Sequence, residues 1–336
     1  MLWTRGAPAR ETLSYLDRNG IDAEPALLGA GLSRSQLSRD DIPVSAGSQY
    51  RFLELAAAAA DDSLLGLHVA AEVDLRSAGI LFYLASSSPT VSEALENLVR
   101  YSAAASESLV AEISRRQDEV TLTIRPVEEL DEPRGQFFEL VALWFLRTLH
   151  RETNRDFALS RVTFTHSRNT GRKEVHRFLR CPVEFAQTSD SCTLPQRVMD
   201  LPIVSTDRRL LQILTAHADD LLAERRSASG LQRMVANQLL NLLPKGEAQS
   251  AVVARELNMS TRSLTRQLAA EGTSFGEILK RLRQQLASRH LADERMSVQQ
   301  IAWLLGYSEP GAFIHAYKKW TGTTPRRARN PQPAPE

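Results

Sequence analysis

The spacing of apolar and polar positions along the chain changes several times, and each change marks an element. Up to residue 75, TLSYLDRNGI and QYRFLELAAAAADD place their apolar side chains three and four apart, the rhythm of helices. SSSPTVSEALENLVRYSAAA opens a further helix: Thr90 and Glu93 fit a capping box, and Ala94, Leu95, Leu98 and Tyr101 form an apolar stripe. The period then drops to two. LVAEISRRQDEVTLTIRP reads as two strands around a polar RRQDE turn, a β-hairpin. GQFFELVALWFLRTLHRE is apolar round most of a helical circumference, which predicts a helix buried on more than one side. RVTFTHS returns to alternation, and VEFAQTSDSCTLP holds two more short strands. Residues 1–200 therefore read as one α+β domain.

After DLPI the pattern is helical again and stays so. STDRRLLQILTAHADDLLAERR begins with capping residues and carries Leu210, Leu211, Ile213, Leu214, Leu221 and Leu222. It predicts a helical linker over 201–228 that joins two domains. RSASG is a short break. Helices then fill an all-α domain over 229–328, and NPQPAPE predicts a disordered Pro-rich tail over 329–336.

The all-α region contains a repeat. VARELNMSTRSLTRQL (253–268) and IAWLLGYSEPGAFIHAY (301–317) each start with an aliphatic residue and Ala: Val253-Ala254 and Ile301-Ala302. Each has Leu three residues on (Leu257, Leu305), then a turn residue suited to positive φ (Asn258, Gly306), an apolar residue (Met259, Tyr307) and Ser (Ser260, Ser308). This is the chemistry of a helix-turn-helix. The small Ala lets one helix cross the other closely, Asn or Gly closes the first helix, and Ser caps the second. Leu264 and Phe313 anchor the second helix, with one extra residue between cap and anchor in the second copy. One copy alone also fits any pair of short packed helices. Two copies, with Ala254 and Ala302 as matching positions, are more specific, and TSFGEILKRLRQQLASRHL between them predicts a helical strut. A strut of about 25 Å suits two recognition helices set about one DNA turn, ~34 Å, apart.

Charge strengthens this picture. The net charge is only +1, but residues 246–330 hold 13 Lys and Arg against 7 Asp and Glu, while the remainder holds 28 against 33. A basic module on an acidic body fits a polyanion partner for that module. The composition, 43% hydrophobic and 24% charged, is that of an ordinary globular protein. No apolar run reaches membrane-spanning length and no signal core is apparent, so a cytoplasmic location without membrane contact is expected. Cys181 and Cys192 are too few for a disulfide framework and read as reduced structural thiols, a redox pair being the alternative.

AAEGTSFGEILKRLRQQLA and SVQQIAWLLGYSEPGAFIHAYKKWTGTTPRRAR resemble the DNA-binding domain of the AraC/XylS family of bacterial transcription regulators, over residues 230–328. DLRSAGILFYLASSSPTVSEALENLVRY, FLRCPVEFAQ and CTLPQRVMDLPI resemble the arabinose-binding-like N-terminal domain of the ornithine-utilisation-regulator subgroup. The resemblance implies an α+β N-terminal domain followed by an all-α DNA-binding domain with two helix-turn-helix units joined by a long helix. It implies a transcription activator that binds double-stranded DNA in two major-groove segments, a small-molecule effector on the N-terminal domain, RNA polymerase as partner and a homodimer.

By motif position, the resemblance implies base contacts from Arg262, Thr265 and Arg266, beside Ser260 and Thr261. Arg can bond guanine through two acceptors, and Thr can meet a thymine methyl. The matching face of the second unit carries Ser308, Glu309, Gly311, Ala312 and His315, with Lys318 and Lys319 as phosphate contacts. Family members commonly place Ser or Gln at the position of Gly311 and Arg or Ser at those of Ile314 and His315, so this chain departs at all three. The first unit is therefore expected to do most of the sequence reading. Phe137, Trp144 and Phe145 are effector-pocket candidates, with a core role as the alternative. His166, His176 and Cys181 do not match a common zinc spacing, and no HExxH, CxxC or Gly-rich phosphate loop is present. No cofactor and no catalytic activity are expected. The remaining alternatives are an effector-independent regulator whose N-terminal domain serves only dimerisation or protein contacts, and a DNA-acting enzyme with a fused helix-turn-helix module.

Overall fold

The computed structural model describes residues 2–38, 43–128, 132–227, 230–257, 259–292 and 296–329. Asn258, part of the RSASG break and the tail beyond Arg329 thus lie outside the described residues. The chain forms two compact units, Met1–Ala223 and Glu224–Glu336.

The alternating segments of the first unit form a five-stranded sheet. Its strands are β3 (Leu109–Arg115), β4 (Glu119–Pro126), β5 (Arg161–Thr163), β6 (Val183–Glu184) and β7 (Asp190–Pro195), following a two-stranded pair β1 (Trp3–Thr4) and β2 (Val44–Ser45). The order is β3-β4-β7-β5-β6, antiparallel except for the parallel β5–β6 pair. The register sets Ile113, Leu122, Cys192, Val162 and Val183 opposite one another across all five strands. Directly paired residues share a face, so this row gives the sheet one continuous apolar side.

Among the described residues, the helices that accompany the sheet are α1 (Ala7–Arg18), α2 (Glu24–Gly29), α3 (Arg34–Leu37), α4 (Ala46–Ala59), α5 (Leu65–Glu72), α6 (Ile80–Ser87), α7 (Val91–Ala105), α8 (Gly135–Thr153), α9 (Arg172–Leu179) and α10 (Arg208–Ser227). Helix α8 is the central one. As its all-round apolar pattern predicts, it buries Phe137, Phe138, Leu140, Leu143, Trp144 and Leu146. Its contact with α5 is so close that a Cβ on Gly66 would lie 2.2 Å from the Gln136 carbonyl oxygen. Buried polar groups fix its position. Glu139, fully buried, accepts from Arg168 Nε at 2.8 Å and Nη2 at 2.6 Å, and its Oε1 lies 2.8 Å from His166 Nε2. A buried carboxylate left without such partners would be strongly destabilising, so this cluster ties α8 to the 164–168 segment. The helix from 208 belongs to the first unit as far as Ala223. Ala218 packs with Leu84 and Tyr101, and Asp219 accepts from Tyr101 Oη and Arg100 Nη2, each at 3.2 Å.

The second unit is helical throughout its described residues: α11 (Gly230–Leu242), α12 (Ser250–Glu256), α13 (Thr261–Ala270), α14 (Phe275–Ala292), α15 (Val298–Leu304), α16 (Pro310–Thr321) and α17 (Pro325–Arg329). Its core joins Val235 and Leu239 of α11 to Val253, Ala254, Leu264 and Leu268 of the first repeat. Ile278, Leu282 and Leu286 of α14 link these to Ile301, Ala302, Leu305, Phe313 and Tyr317 of the second. The strut α14 has 18 residues, a length of about 27 Å.

Candidate nucleic-acid interface

The two repeats fold into the same hydrogen-bonded turn. Leu257 N–H donates to the Val253 carbonyl, and Leu305 N–H to that of Ile301, both at 3.0 Å. Met259 N–H reaches the Ala254 carbonyl at 2.8 Å, and Tyr307 N–H that of Ala302 at 3.0 Å. Ala254 and Ala302 are buried in the crossing of each helix pair, where a larger side chain would hold the helices apart.

The second turn is braced from outside. Gly306 has φ 70°, and a Cβ there would sit 2.8 Å from the Leu243 carbonyl oxygen. Arg283 of α14 donates from Nε to the Leu305 carbonyl at 2.9 Å and from Nη2 to that of Gly306 at 3.3 Å, satisfying helix-end acceptors. Its guanidinium lies 4.3 Å from the Tyr307 ring centroid. Burial pushes the Tyr307 phenol above its ordinary range, and Arg283 opposes that shift.

The caps differ. Ser260 caps α13, its Oγ accepting from Ser263 N–H at 3.1 Å. The expectation that Ser308 caps the second helix is corrected: the cap position is Glu309, without a side-chain cap bond, and Pro310 occupies the first turn. Proline suits that position because its φ is already helical and it has no N–H to satisfy. This accounts for the extra residue. Counted from the true caps, Leu264 and Phe313 occupy the same fourth position, and Arg262, Thr265 and Arg266 correspond to Gly311, Ile314 and His315.

On α13, Thr261, Arg262, Thr265 and Arg266 are exposed while Leu264 and Leu268 are buried, and Ser260 is exposed at the helix start. The Thr265 hydroxyl donates to the Thr261 carbonyl at 2.9 Å, which commits its proton locally. On α16, Gly311, Ala312, Ile314, His315, Lys318 and Lys319 are exposed while Phe313 and Tyr317 are buried, and Ser308 and Glu309 are exposed just before it. Each second helix thus offers one outward face, and the nominated residues lie on it. Ile314, not among those nominations, shares that face.

The effector candidates divide by helical phase. A cleft in the first unit is lined by Phe138, Val141, Ala142 and Phe145 of α8, by Leu122 and Ile124 of β4, by Phe164, and by Asp190, Ser191 and Cys192 of β7. Positions 138, 141, 142 and 145 form one stripe of α8. Phe145 is on it. Phe137 and Trp144, seven apart, are not: Phe137 packs edge-on against Tyr50 of α4 at 4.8 Å, and Trp144 is buried in the core. Phe138, seven residues before Phe145, was missed; the same spacing separates Phe137 from Trp144, so spacing alone does not single out the stripe. The cavity volume is about 20 Å³, room for about one water molecule. Asp190 accepts at its edge from Thr165 N–H at 2.9 Å and Thr165 Oγ1 at 3.0 Å, and burial holds its carboxyl above the usual range.

Burial pushes the Cys181 thiol up to about 11 and that of Cys192 to about 12. A thiol must ionise to attack or to bind metal, so both suit a structural role. His176 Nδ1 lies 3.1 Å from the Cys181 carbonyl oxygen. Among the described residues, no group of three His, Cys, Asp or Glu is placed to hold a metal ion, and no helix is long and apolar enough to cross a membrane.

Residues 20–203, more than half of the chain, match the family model of the arabinose-binding domain of AraC transcription regulators, N-terminal. The chain belongs to the AraC family of transcription regulators. Residues 253–331 match a helix-turn-helix domain model, which covers both repeats of this AraC-family chain. The HTH-type transcriptional regulator VirS of Mycobacterium tuberculosis is 29% identical over 315 residues, covering 92% of this chain and 91% of VirS. The ornithine utilization regulator of Pseudomonas aeruginosa is 26% identical over 268 residues, 78% of this chain and 77% of that protein. Among solved structures, the transcriptional regulator CdpR of Pseudomonas aeruginosa aligns with a TM-score of 0.43 at 24% identity, over 91% of this chain and 96% of that one. The family models and the two relatives are those of transcription regulators, not of enzymes.

Proposed function

We propose that this AraC-family regulator activates transcription by seating α13 and α16 in two successive major-groove segments of promoter DNA, under control of a small-molecule effector held by the first unit. The observation that carries the reading is the repeated turn, with its matched hydrogen bonds and an exposed face on each second helix. Arg262 and Arg266 supply guanine recognition, and Thr265 turns its methyl to a base edge. Ser260, Thr261 and Ser308 lie at the helix starts, where phosphate comes close. Glu309 accepts from a cytosine amine, and His315 bonds a base or a phosphate. Lys318 and Lys319 neutralise phosphates. Gly311 and Ala312 allow close approach, so the second helix adds affinity while the first reads most of the sequence.

Hydroxyl-radical footprinting of the full chain on promoter fragments tests this. The reading expects two protected segments centred about 10 base pairs apart. One protected segment would overturn bipartite docking.

The effector site we assign is the cleft between α8 and the sheet. At its present size it holds about one water, so an effector must part α8 from β4 and β7, and a ligand that favours one arrangement shifts the population toward it. A thermal-shift screen of metabolites on the full chain checks this. Stabilisation by a metabolite supports sensing, and indifference across the screen favours the effector-independent alternative. The outer face of α10, with Leu210 and Ile213 exposed, is the surface we assign to a homodimer. Light scattering on Ile213→Asp is expected to show monomer where the parent chain shows dimer. RNA polymerase completes the set of partners, and the cytoplasm is the place where all of them meet.

A further inference from the structure

Among the described residues of the second unit, Met234, Trp303 and Ile314 are the large hydrophobic side chains exposed to solvent, and Ile314 stands on the outward face of α16 at 38% exposure. Three residues before it is Gly311, where an added Cβ would meet nothing within 4 Å. Helical side chains lean toward the N-terminus, so Ile314 and His315 both lean over the turn that Gly311 leaves bare. Ala312 adds a methyl on the adjacent row. Gly311 thus leaves open space beside the exposed Ile314 side chain and the Ala312 methyl, room for a notch with a glycine floor.

We infer that α16 recognises thymine, with the C5-methyl group of one thymine seated in the notch of Gly311 and packed against Ile314 and Ala312. In the major groove, the methyl is the one apolar feature a base pair presents, and apolar side chains recognise it by contact. Gly311, Ala312 and Ile314 have no side-chain donor or acceptor, so these three can read a base only by contact. The register supports the assignment: Ile314 occupies the position of Thr265 in α13, where the side chain also offers a methyl while its hydroxyl is committed to the Thr261 carbonyl. The second unit therefore adds shape and methyl burial to the hydrogen bonds of Glu309 and His315, and its half-site is T-containing at a fixed place.

The inference rests on the proposed docking of α16, and the experiment separates the two. The full chain selects a preferred duplex from a random pool, and each dT in the selected duplex is then replaced singly by dU, which removes only the methyl. Burying one methyl is worth about a fourfold change in affinity. The expected result is a loss of that size at one thymine of the half-site facing α16. In Ile314→Ala the same substitution changes little, and in Gly311→Leu, which fills the notch, the dU duplex binds better than the dT duplex. Equal binding of dU and dT duplexes throughout that half-site overturns the inference, as does a selected half-site without thymine or an undiminished dU effect in Ile314→Ala. If the full chain selects no duplex at all, the docking itself fails and the inference with it.

Discussion

The helix pairs α12–α13 and α15–α16 share a scaffold and differ in nearly everything they show to solvent. Inside, the correspondence is close: Ala254 with Ala302, Leu257 with Leu305, Leu264 with Phe313, each meeting the same packing need. Outside, Arg262, Thr265 and Arg266 stand where the second pair has Gly311, Ile314 and His315. A buried position is restricted by neighbours on all sides, whereas an exposed one answers only to whatever docks there. The internal repeat sets the shared scaffold. It leaves the exposed faces free to differ, so one copy shows Arg262 and Arg266 where the other shows Gly311 and His315.

Arg283 and the Leu243 carbonyl hold the second turn from outside, and the largest effect is expected from breaking it. Gly306→Ala meets both a left-handed backbone and the Leu243 carbonyl at 2.8 Å. The left-handed conformation costs an alanine about 1–2 kcal/mol. With the close approach added, the loss is expected at about 2–4 kcal/mol, measured by denaturant unfolding of the full chain. A loss near zero would show that the brace from Arg283 and Leu243 does not hold the second turn.

Next in size is the contrast in base reading. Arg266→Ala is expected to weaken operator binding by about 1–3 kcal/mol and to relax specificity at one base pair. His315→Ala, its counterpart, is expected to cost less than half as much in the same binding titrations. If the two substitutions relax specificity equally, the assignment of sequence reading to α13 is wrong. The phosphate contacts sharpen the contrast further. Replacing Lys318 and Lys319 by Ala is expected to lower the salt dependence of binding by about one unit of log–log slope each while leaving base preference unchanged.

The contrast also shows what the sequence could convey. The repeat was legible because its determinants are local: small residue, Leu, turn residue and anchor follow one another within a dozen positions. The strands and the all-round burial of α8 were legible for the same reason. The cap of α16 was not. Aligning Ser308 with Ser260 matched residue types, but Pro310 fits the first helical position so well that the cap moves to Glu309. The effector candidates needed a fact that lies outside α8, namely which side of it the sheet covers. Phe137, Trp144 and Phe145 look alike in sequence, and only the partner surface puts Phe145 in the cleft and the other two in the core. The β1–β2 pair was missed because two-residue strands leave no periodicity to see.

The smallest expected effect tests that shifted cap directly. Ser260 Oγ accepts from Ser263 N–H, so Ser260→Ala removes a cap bond from α13 and is expected to cost about 1 kcal/mol of stability. Ser308 precedes the cap of α16, so Ser308→Ala is expected to stay within about 0.5 kcal/mol. Unfolding curves of the two variants measure this difference in the absence of DNA. Equal losses would mean that Ser308 caps α16 in solution, which would return Phe313 to an offset register. Gly311 and Ile314 would then no longer correspond to Arg262 and Thr265, and the thymine notch would lose its counterpart in α13. The difference between two serines therefore checks the alignment on which the comparison of the two reading faces depends.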